Sequence, residues 1–476
     1  MVSLGESMHI PRIVIAGDRS SSGKTTIVAG LLSALVRMGL KVQAFKVAMD
    51  YIDPSYHTWI TGRFCRNLDG YLMSESRVLE VFNHAARDAD IAVIEGVRGL
   101  YEGYEGDAGS TAQIAKILCA PVILVVDARS ITRSAAALVK GYMDYDRDVQ
   151  IRGVILNKLG GERHADKATR EIERYAGVPV VGSIQRDDDM HLAMRHLGLV
   201  PVTEGRLRHH GFDERVSRIR EIVEMSLDIK RLIEIAEEAE DLQEAETDLY
   251  LRNERGAGLK VGVAQDEAFN FYYRDNLELI ELAGAEVVPF SPIRDSRIPN
   301  VDGLYIGGGY PELYAEDLSR NGSMMRSIRD AQADGMPVYA ECGGLMYMCR
   351  ELEWPQDGGG SHENSYQMVG VVPALARRGR RRIVSYVSGA FVTDTCIGRM
   401  GDEFMGHEFH HSELVVDGDV RYAIKLNRGT GISSGMDGIL DGRMIASYSH
   451  IHSASYRGFP DVFLDACREY RCDGKF

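Results

Sequence analysis

From residue 11 to about residue 203, short apolar runs alternate with stretches of helical period. The runs fall at residues 13–16, 42–47, 91–94, 122–126, 154–156 and 178–181. Such runs are rich in β-branched residues and lack polar alternation. They predict strands covered on both faces, hence a parallel sheet with helical crossovers. A second α/β pattern begins at Leu259 and continues through residues 286–290, 303–306 and 337–340. Two doubly wound α/β domains are therefore expected, at 1–205 and 259–476. Residues 206–258, rich in Glu, Ala, Leu and Arg, predict a helical, solvated connector between them. After residue 367 the pattern turns to strands, at 383–392 and 406–410, before a closing helix near 461–470. No internal repeat is visible.

Composition narrows the function classes. A chain of 476 residues exceeds what one core usually holds, which agrees with two domains. With 70 acidic against 55 basic residues, a formal charge of -15 argues against nucleic acid as the main partner. The seven cysteines form no CxxC pair, as expected in a reducing cytoplasm. No apolar run is long enough for a bilayer, so a cytoplasmic protein with no membrane partner is expected.

The first apolar run is followed by Gly17-Asp-Arg-Ser-Ser-Ser22-Gly23-Lys24-Thr25-Thr26 and then by a helical pattern. Strand, small-residue loop and helix are the context of a phosphate loop. Backbone N–H groups from Gly17 through Ser22, Gly23 and Thr26 would cradle phosphate oxygens. Lys24 would reach the terminal phosphates, and Thr25 would offer its hydroxyl to Mg²⁺. Five residues separate Gly17 from Gly23 instead of the usual four, and Arg19 and Ser21 stand where inner glycines are common. The Arg19 guanidinium is a candidate phosphate contact, within its own subunit or across a homodimer. Oxygen ligands for Mg²⁺ are expected from Asp50, Asp53 and Glu95, all near strand ends. Asn157 ends another strand and could contact the base. The residue two after Lys158 is Gly160, not the aspartate of a guanine-reading NKxD pattern, which favours ATP.

A separate chemistry is written around Cys342. The run Pro337-Val-Tyr-Ala-Glu-Cys342-Gly-Gly-Leu-Met reads as a strand, a sharp turn with a thiol at its tip, and a helix. In such a nucleophile elbow the glycines let N–H groups approach a developing oxyanion, which suits acyl transfer. A thiol nucleophile needs a base. His450, in Ala-Ser-Tyr-Ser-His450-Ile-His452 after a predicted strand, is the leading candidate, with His452 and the cluster His407, His410 and His411 as alternatives.

Taken together, Gly-Lys-Thr-Thr, Asp-Tyr-Ile-Asp-Pro, Arg-Asn-Leu-Asp-Gly, Met194-Arg-His-Leu-Gly-Leu-Val, Ala-Phe-Asn-Phe-Tyr-Tyr, Gly307-Gly-Gly-Tyr-Pro-Glu312 and Ala-Glu-Cys-Gly-Gly resemble the cobyrinate a,c-diamide synthase family from about residue 11 to the C-terminus. The resemblance implies an N-terminal P-loop domain similar to dethiobiotin synthetase and a C-terminal class I-like glutamine amidotransferase α/β domain. It further implies ATP-dependent phosphorylation of two acetate side chains on a tetrapyrrole, each acyl phosphate then being captured by ammonia from L-glutamine. Cys342 and His450 would make that ammonia. Common members read Lys-Val-Gly-Pro-Asp-Tyr-Ile-Asp-Pro and Glu-Gly-Val-Met-Gly-Leu-Tyr-Asp-Gly. Here Ala48-Met49 replace Gly-Pro, Arg98 replaces Met and Glu102 replaces Asp. These departures resemble the methanogen branch that amidates Ni-sirohydrochlorin on the way to coenzyme F430, with cobyrinate as the alternative substrate. His452 stands two residues after the expected base, where class I glutaminases usually carry glutamate.

Overall fold

The computed structural model describes residues 7–104, 106–190, 194–195, 198–199, 212–243, 248–355 and 363–473. It divides into two compact units, Met1–Thr247 and Asp248–Phe476. The expected boundary at 205, and the Met194 motif beyond its two short strands, lie outside the described residues.

The first unit is built on a seven-stranded sheet in which every pairing is parallel. Its strands are β1 (Arg12–Gly17), β2 (Val42–Val47), β3 (Arg66–Leu68), β4 (Ile91–Glu95), β5 (Val122–Asp127), β6 (Ile151–Leu159) and β7 (Val180–Gln185). Their spatial order is β3-β2-β4-β1-β5-β6-β7. β1, β2, β4 and β5 are buried at every position, their apolar residues and the polar Arg12, Gln43, Lys46, Glu95 and Asp127 alike. The three-residue edge strand β3 was too short to show in the apolar pattern. Strand order reverses at β1, the place where an open α/β sheet forms its ligand crevice. Helix α1 (Lys24–Arg37) leaves that strand through the small-residue loop, and α2 (Ile52–Thr61) follows β2.

The stretch expected to be a solvated connector behaves differently. Its helices α3 (Phe212–Ser226) and α4 (Ile229–Glu237) join the core of the first unit, packing with Ile27, Leu31 and Leu35 of α1. Val216, Ile219, Ile222 and Val223 are all buried. Each such side chain contributes roughly 1.5–3 kcal/mol on burial. The surface ion pair Arg37–Glu224, of a kind worth about 0–1 kcal/mol, is minor beside them. An apolar stripe of period 3.6 is present in the sequence, but acidic and basic residues surround it.

In the second unit, β8 (Lys260–Ala264), β9 (Glu286–Phe290), β10 (Gly303–Ile306) and β11 (Val338–Glu341) form the parallel half of a mixed sheet. The other half includes β12 (Val372–Phe391), β13 (Glu403–Val416), β14 (Arg421–Arg428), β15 (Met436–Asp441), β16 (Met444–Ser447) and β17 (His450–Ile451), with the strands Cys349–Pro355 and Glu363–Gln367 beyond β12. β16 pairs parallel to β11, giving the order β9-β8-β10-β11-β16. From β16 the sheet continues antiparallel through β15 and β14 to β12. β13 pairs with both β12 and β17. Helix α5 (Gly343–Met348) follows β11, and α6 (Gly458–Cys472) closes the chain. Among the described residues no helix is long and apolar enough to cross a membrane.

Candidate active sites

The loop between β1 and α1 has the backbone of a phosphate cradle. Ser21 and Gly23 take positive φ, 60° and 97°. A Cβ at Gly23 would collide with the Asn157 amide, so glycine is required on both counts. Asn157 Nδ2 donates to the Ser22 carbonyl at 2.8 Å. Lys158 Nζ donates to the Ser21 carbonyl at 2.5 Å and pairs with Asp127 at 3.1 Å. The residue expected to read the base is thus engaged in holding the loop. Ser22 Oγ is buried and has no hydrogen-bond partner among the described residues, a donor left open for a phosphate oxygen. Lys24 is buried and donates to the Arg98 carbonyl at 2.5 Å. Burial, then the neighbouring Lys46 ammonium, lowers its pKa to about 8. Arg19 pairs with Asp18, Nε to Oδ2 at 2.9 Å, while its own side chain remains half exposed.

Three of the expected metal ligands meet beside this loop. Thr25 Oγ1 donates to Glu95 Oε1 at 2.6 Å and lies 3.2 Å from Asp53 Oδ2. Lys46 Nζ bridges the two carboxylates, at 2.6 Å from Asp53 Oδ2 and 2.8 Å from Glu95 Oε1. His57 Nε2 meets Glu95 Oε2 at 2.6 Å. Burial alone would raise the Glu95 pKa, but Lys46 and His57 overcome it and hold the group ionised. Burial, with Asp50 nearby, pushes Asp53 upward against the pull of Lys46. Asp50 is engaged locally instead: its Oδ1 accepts the N–H groups of Ile52 and Asp53 at 2.8 and 3.1 Å, satisfying the first two donors of α2 from the residue before its N-cap. Among the described residues no group of three or more His, Cys, Asp or Glu side chains is disposed to hold a metal by itself. Two carboxylates and a hydroxyl beside a phosphate loop do fit a hard cation that keeps several waters and shares nucleotide oxygens, as Mg²⁺ does.

In the second unit β11 ends in a strained elbow. Cys342 adopts φ 49° and ψ -96°, and α5 starts at the next residue. A Cβ at Gly344 would strike the Ile306 carbonyl, so only glycine lets α5 approach β10 this closely. The Cys342 N–H donates to Ser447 of β16 at 2.7 Å, and its thiol donates to the Phe409 carbonyl at 3.6 Å. Burial first, then Glu312 and Glu341, pushes the thiol pKa far up. β17 places His450 beside the residue preceding the nucleophile, with Nδ1 3.7 Å from Glu341 Oε1. Burial, with His410 nearby, lowers the His450 pKa to about 3. The resting thiol and imidazole are therefore both neutral.

The alternative histidines have other partners. His407 lies opposite His450 in the β13–β17 pairing, with rings stacked at 4.7 Å, and its Nδ1 meets Tyr273 Oη at 3.0 Å. His410 Nδ1 donates to the Ser412 carbonyl at 2.8 Å and stacks on Tyr448. His452 Nδ1 accepts the Ala454 N–H at 3.0 Å, and its Nε2 faces Asp275 at 3.3 Å.

Residues 13–200 match the family model of the CobQ/CobB/MinD/ParA nucleotide binding domain, and residues 260–458 that of the CobB/CobQ-like glutamine amidotransferase domain. The chain is 54% identical to the cobyrinate a,c-diamide synthase of Methanosarcina barkeri, covering 97% of each chain. The enzyme of that name from Methanosarcina acetivorans is also 54% identical, over 98% of this chain and 97% of the relative. That of Methanothermobacter thermautotrophicus is 43% identical over 96% of this chain and 100% of the relative. The chain belongs to the cobyrinate a,c-diamide synthase family. It is a glutamine-dependent amidotransferase and ligase with a P-loop nucleotide-binding domain.

Sequence reasoning passed over Lys46, His57 and Glu341. The signal for Lys46 is its place in the fully buried strand Val-Gln-Ala-Phe-Lys-Val, where an ammonium must find acidic partners. Glu341 sits at the end of an equally buried strand. The role of His57 needs the packing of α2 beside β4, which no local pattern announces.

Proposed function

We propose that the chain amidates the a and c acetate side chains of Ni-sirohydrochlorin, spending ATP and glutamine, in coenzyme F430 biosynthesis. The observation that carries the reaction class is the presence of two built sites in one chain: a phosphate loop beside Thr25, Asp53 and Glu95, and a thiol elbow whose preceding residue, Glu341, faces His450. A carboxylate resists attack by ammonia until one oxygen becomes a good leaving group. Its oxygen therefore takes the terminal phosphoryl group of ATP, releasing ADP. Ammonia then adds to the acyl carbon and phosphate departs, leaving the amide. Lys24 and the loop N–H groups stabilise the transferring phosphoryl charge. Bound Mg²⁺, held by Thr25, Asp53 and Glu95, would supply Lewis-acid polarisation of phosphate oxygens. In the other unit, His450 takes the Cys342 proton, the sulfur attacks the glutamine amide carbon, and His450 returns the proton to the departing ammonia. Water then releases glutamate from the thioester.

The choice of nickel substrate rests on Ala48-Met49, Arg98 and Glu102. Ala48 takes a left-handed φ of 69°, a backbone suited to the glycine of the common pattern, and Asn67 Nδ2 donates to its carbonyl at 2.8 Å. Arg98 and Glu102 are exposed on the loop whose Arg98 carbonyl accepts from Lys24. The relatives' name favours cobyrinate as a second reading. Mass spectrometry of products from Ni-sirohydrochlorin and cobyrinate in parallel, with ATP, Mg²⁺ and glutamine, decides between them. Diamide formed faster from cobyrinate would overturn the nickel assignment.

Arg19 is assigned to phosphate binding by the same proposal, exchanging its Asp18 partner for nucleotide in its own subunit or across a homodimer. Arg19→Ala is expected to raise the KM for ATP about tenfold, as for loss of one charge-assisted hydrogen bond. Glutaminase turnover without ATP should stay normal, and Arg19→Lys should recover part of the loss. An unchanged KM for ATP would return Arg19 to a surface role. Activity regained on mixing Arg19→Ala with Lys24→Ala subunits would show a contact made in trans.

A further inference from the structure

We propose that Glu341, the residue immediately before the nucleophile, is the positioning residue for His450 and completes the glutaminase relay. This rests on the roles given to Cys342 and His450 above. A thiol–imidazole pair works best when a third group fixes the ring and stabilises the imidazolium that forms. The position two residues after His450 carries no acid here: His452 is tied to the Ala454 N–H and faces Asp275, whose other oxygen accepts from Tyr250 Oη.

Glu341 has the required geometry. Its side chain and that of His450 are both nearly inaccessible, 2% and 1% exposed, and Oε1 lies 3.7 Å from Nδ1. The carboxylate is fixed from two further sides: Oε1 accepts the Ile451 N–H at 3.3 Å and Oε2 accepts from Tyr305 Oη. Anchored by β10 and β17, it has little freedom to turn away. At 3.7 Å the pair is within ion-pair reach and short of a hydrogen bond; closing that gap in the substrate complex would select the tautomer protonated at Nδ1 and present Nε2 as the base. Burial raises the Glu341 pKa to about 7 against the pull of its Tyr305 and Ile451 hydrogen bonds, and in its ionised form the carboxylate lowers the cost of the imidazolium in a site where water screens nothing. Because Glu341 and Cys342 are consecutive, the backbone that bends the thiol into position also sets the carboxylate that aims its base.

Glu341→Gln keeps the side chain's size and, with its oxygen on the Ile451 N–H and its amide donating to the Tyr305 hydroxyl oxygen, retains both anchoring contacts while removing the charge. The expected result is a fall in glutaminase kcat on the order of 100-fold or more. The KM for glutamine should stay within about twofold, and the thermal midpoint within about 2 °C. Ammonia-driven amidation should persist. Asp275→Asn, assayed in parallel, should keep kcat within about threefold. Near-normal kcat in Glu341→Gln would overturn the proposal. So would a loss that tracks a raised KM or a lowered thermal midpoint, since that marks a structural role, or a large kcat loss confined to Asp275→Asn. Cys342→Ala serves as the control. If it still turns over glutamine, the underlying thiol assignment fails; if it is inactive while Glu341→Gln is normal, only the present inference fails.

Discussion

Cys342→Ser should abolish glutamine-driven amidation while high concentrations of free ammonia restore it. The thiol stands at the tip of a strained elbow, and burial together with Glu312 and Glu341 disfavours its ionisation. Attack on glutamine therefore depends on proton transfer to His450 as the sulfur–carbon bond forms. A serine hydroxyl in the same place is a weaker nucleophile, harder still to deprotonate, and a loss on the order of a thousandfold or more is expected. Only the nitrogen supply is damaged, because Lys24, Thr25, Asp53 and Glu95 belong to the other unit. The measurement is diamide formation with glutamine and with ammonium salt at mildly alkaline pH, where more of the nitrogen is unprotonated. Normal glutamine use, or failure of ammonia to rescue a folded variant, would remove Cys342 from the role. His450→Ala should behave in the same way, and full activity there would move the base to His452 or His410.

The two α/β patterns were legible because strands covered on both faces must be apolar along their middles, and β1, β4 and β5 carry polar residues only at their ends. The mixed half of the second sheet was legible only in outline: β12 begins eleven residues before the expected strand at 383, among exposed arginines that hide its alternation. The 206–258 stretch was misread for a related reason, since charge on three sides of α3 outweighs one apolar stripe. Thr25, Asp53 and Glu95 could be grouped in advance because each follows or ends a parallel strand, and such ends share one edge of the sheet. Asn157 lies on that edge too, but whether its amide faces a base or the loop depends on the turn at Gly23. Pairing of His407 with His450 needs the long-range register between β13 and β17, which no local spacing encodes. Lys46 and Glu341 carried a readable signal: an ionisable residue in a fully buried strand implies a partner of opposite charge or a purpose.

Lys24→Ala should remove amidation with either nitrogen source, since the carboxylate would not be activated before ammonia is used. Losing a point charge at a transferring phosphoryl group costs several kcal/mol of barrier, on the order of a thousandfold in rate. Glutaminase turnover should survive, which separates this variant from Cys342→Ser. The wild-type pH dependence gives a second check. Burial and Lys46 lower the Lys24 pKa to about 8 in the free enzyme, so its ammonium is present below that pH and lost as pH rises through it. Nucleotide phosphates favour the charged form and raise the pKa again on binding. Hence kcat/KM for ATP should fall above about pH 8 while kcat holds to higher pH, because the former reports the free enzyme and the latter the complex. Arginine is no substitute, since a planar guanidinium cannot take the place of an ammonium seated against the Arg98 carbonyl. Initial rates across ATP concentrations at several pH values, with glutamine as nitrogen source, test both statements. Near-normal ATP-dependent synthesis by Lys24→Ala would rule out the phosphate-loop assignment, and a flat kcat/KM profile in the wild type would remove Lys24 as the titrating group.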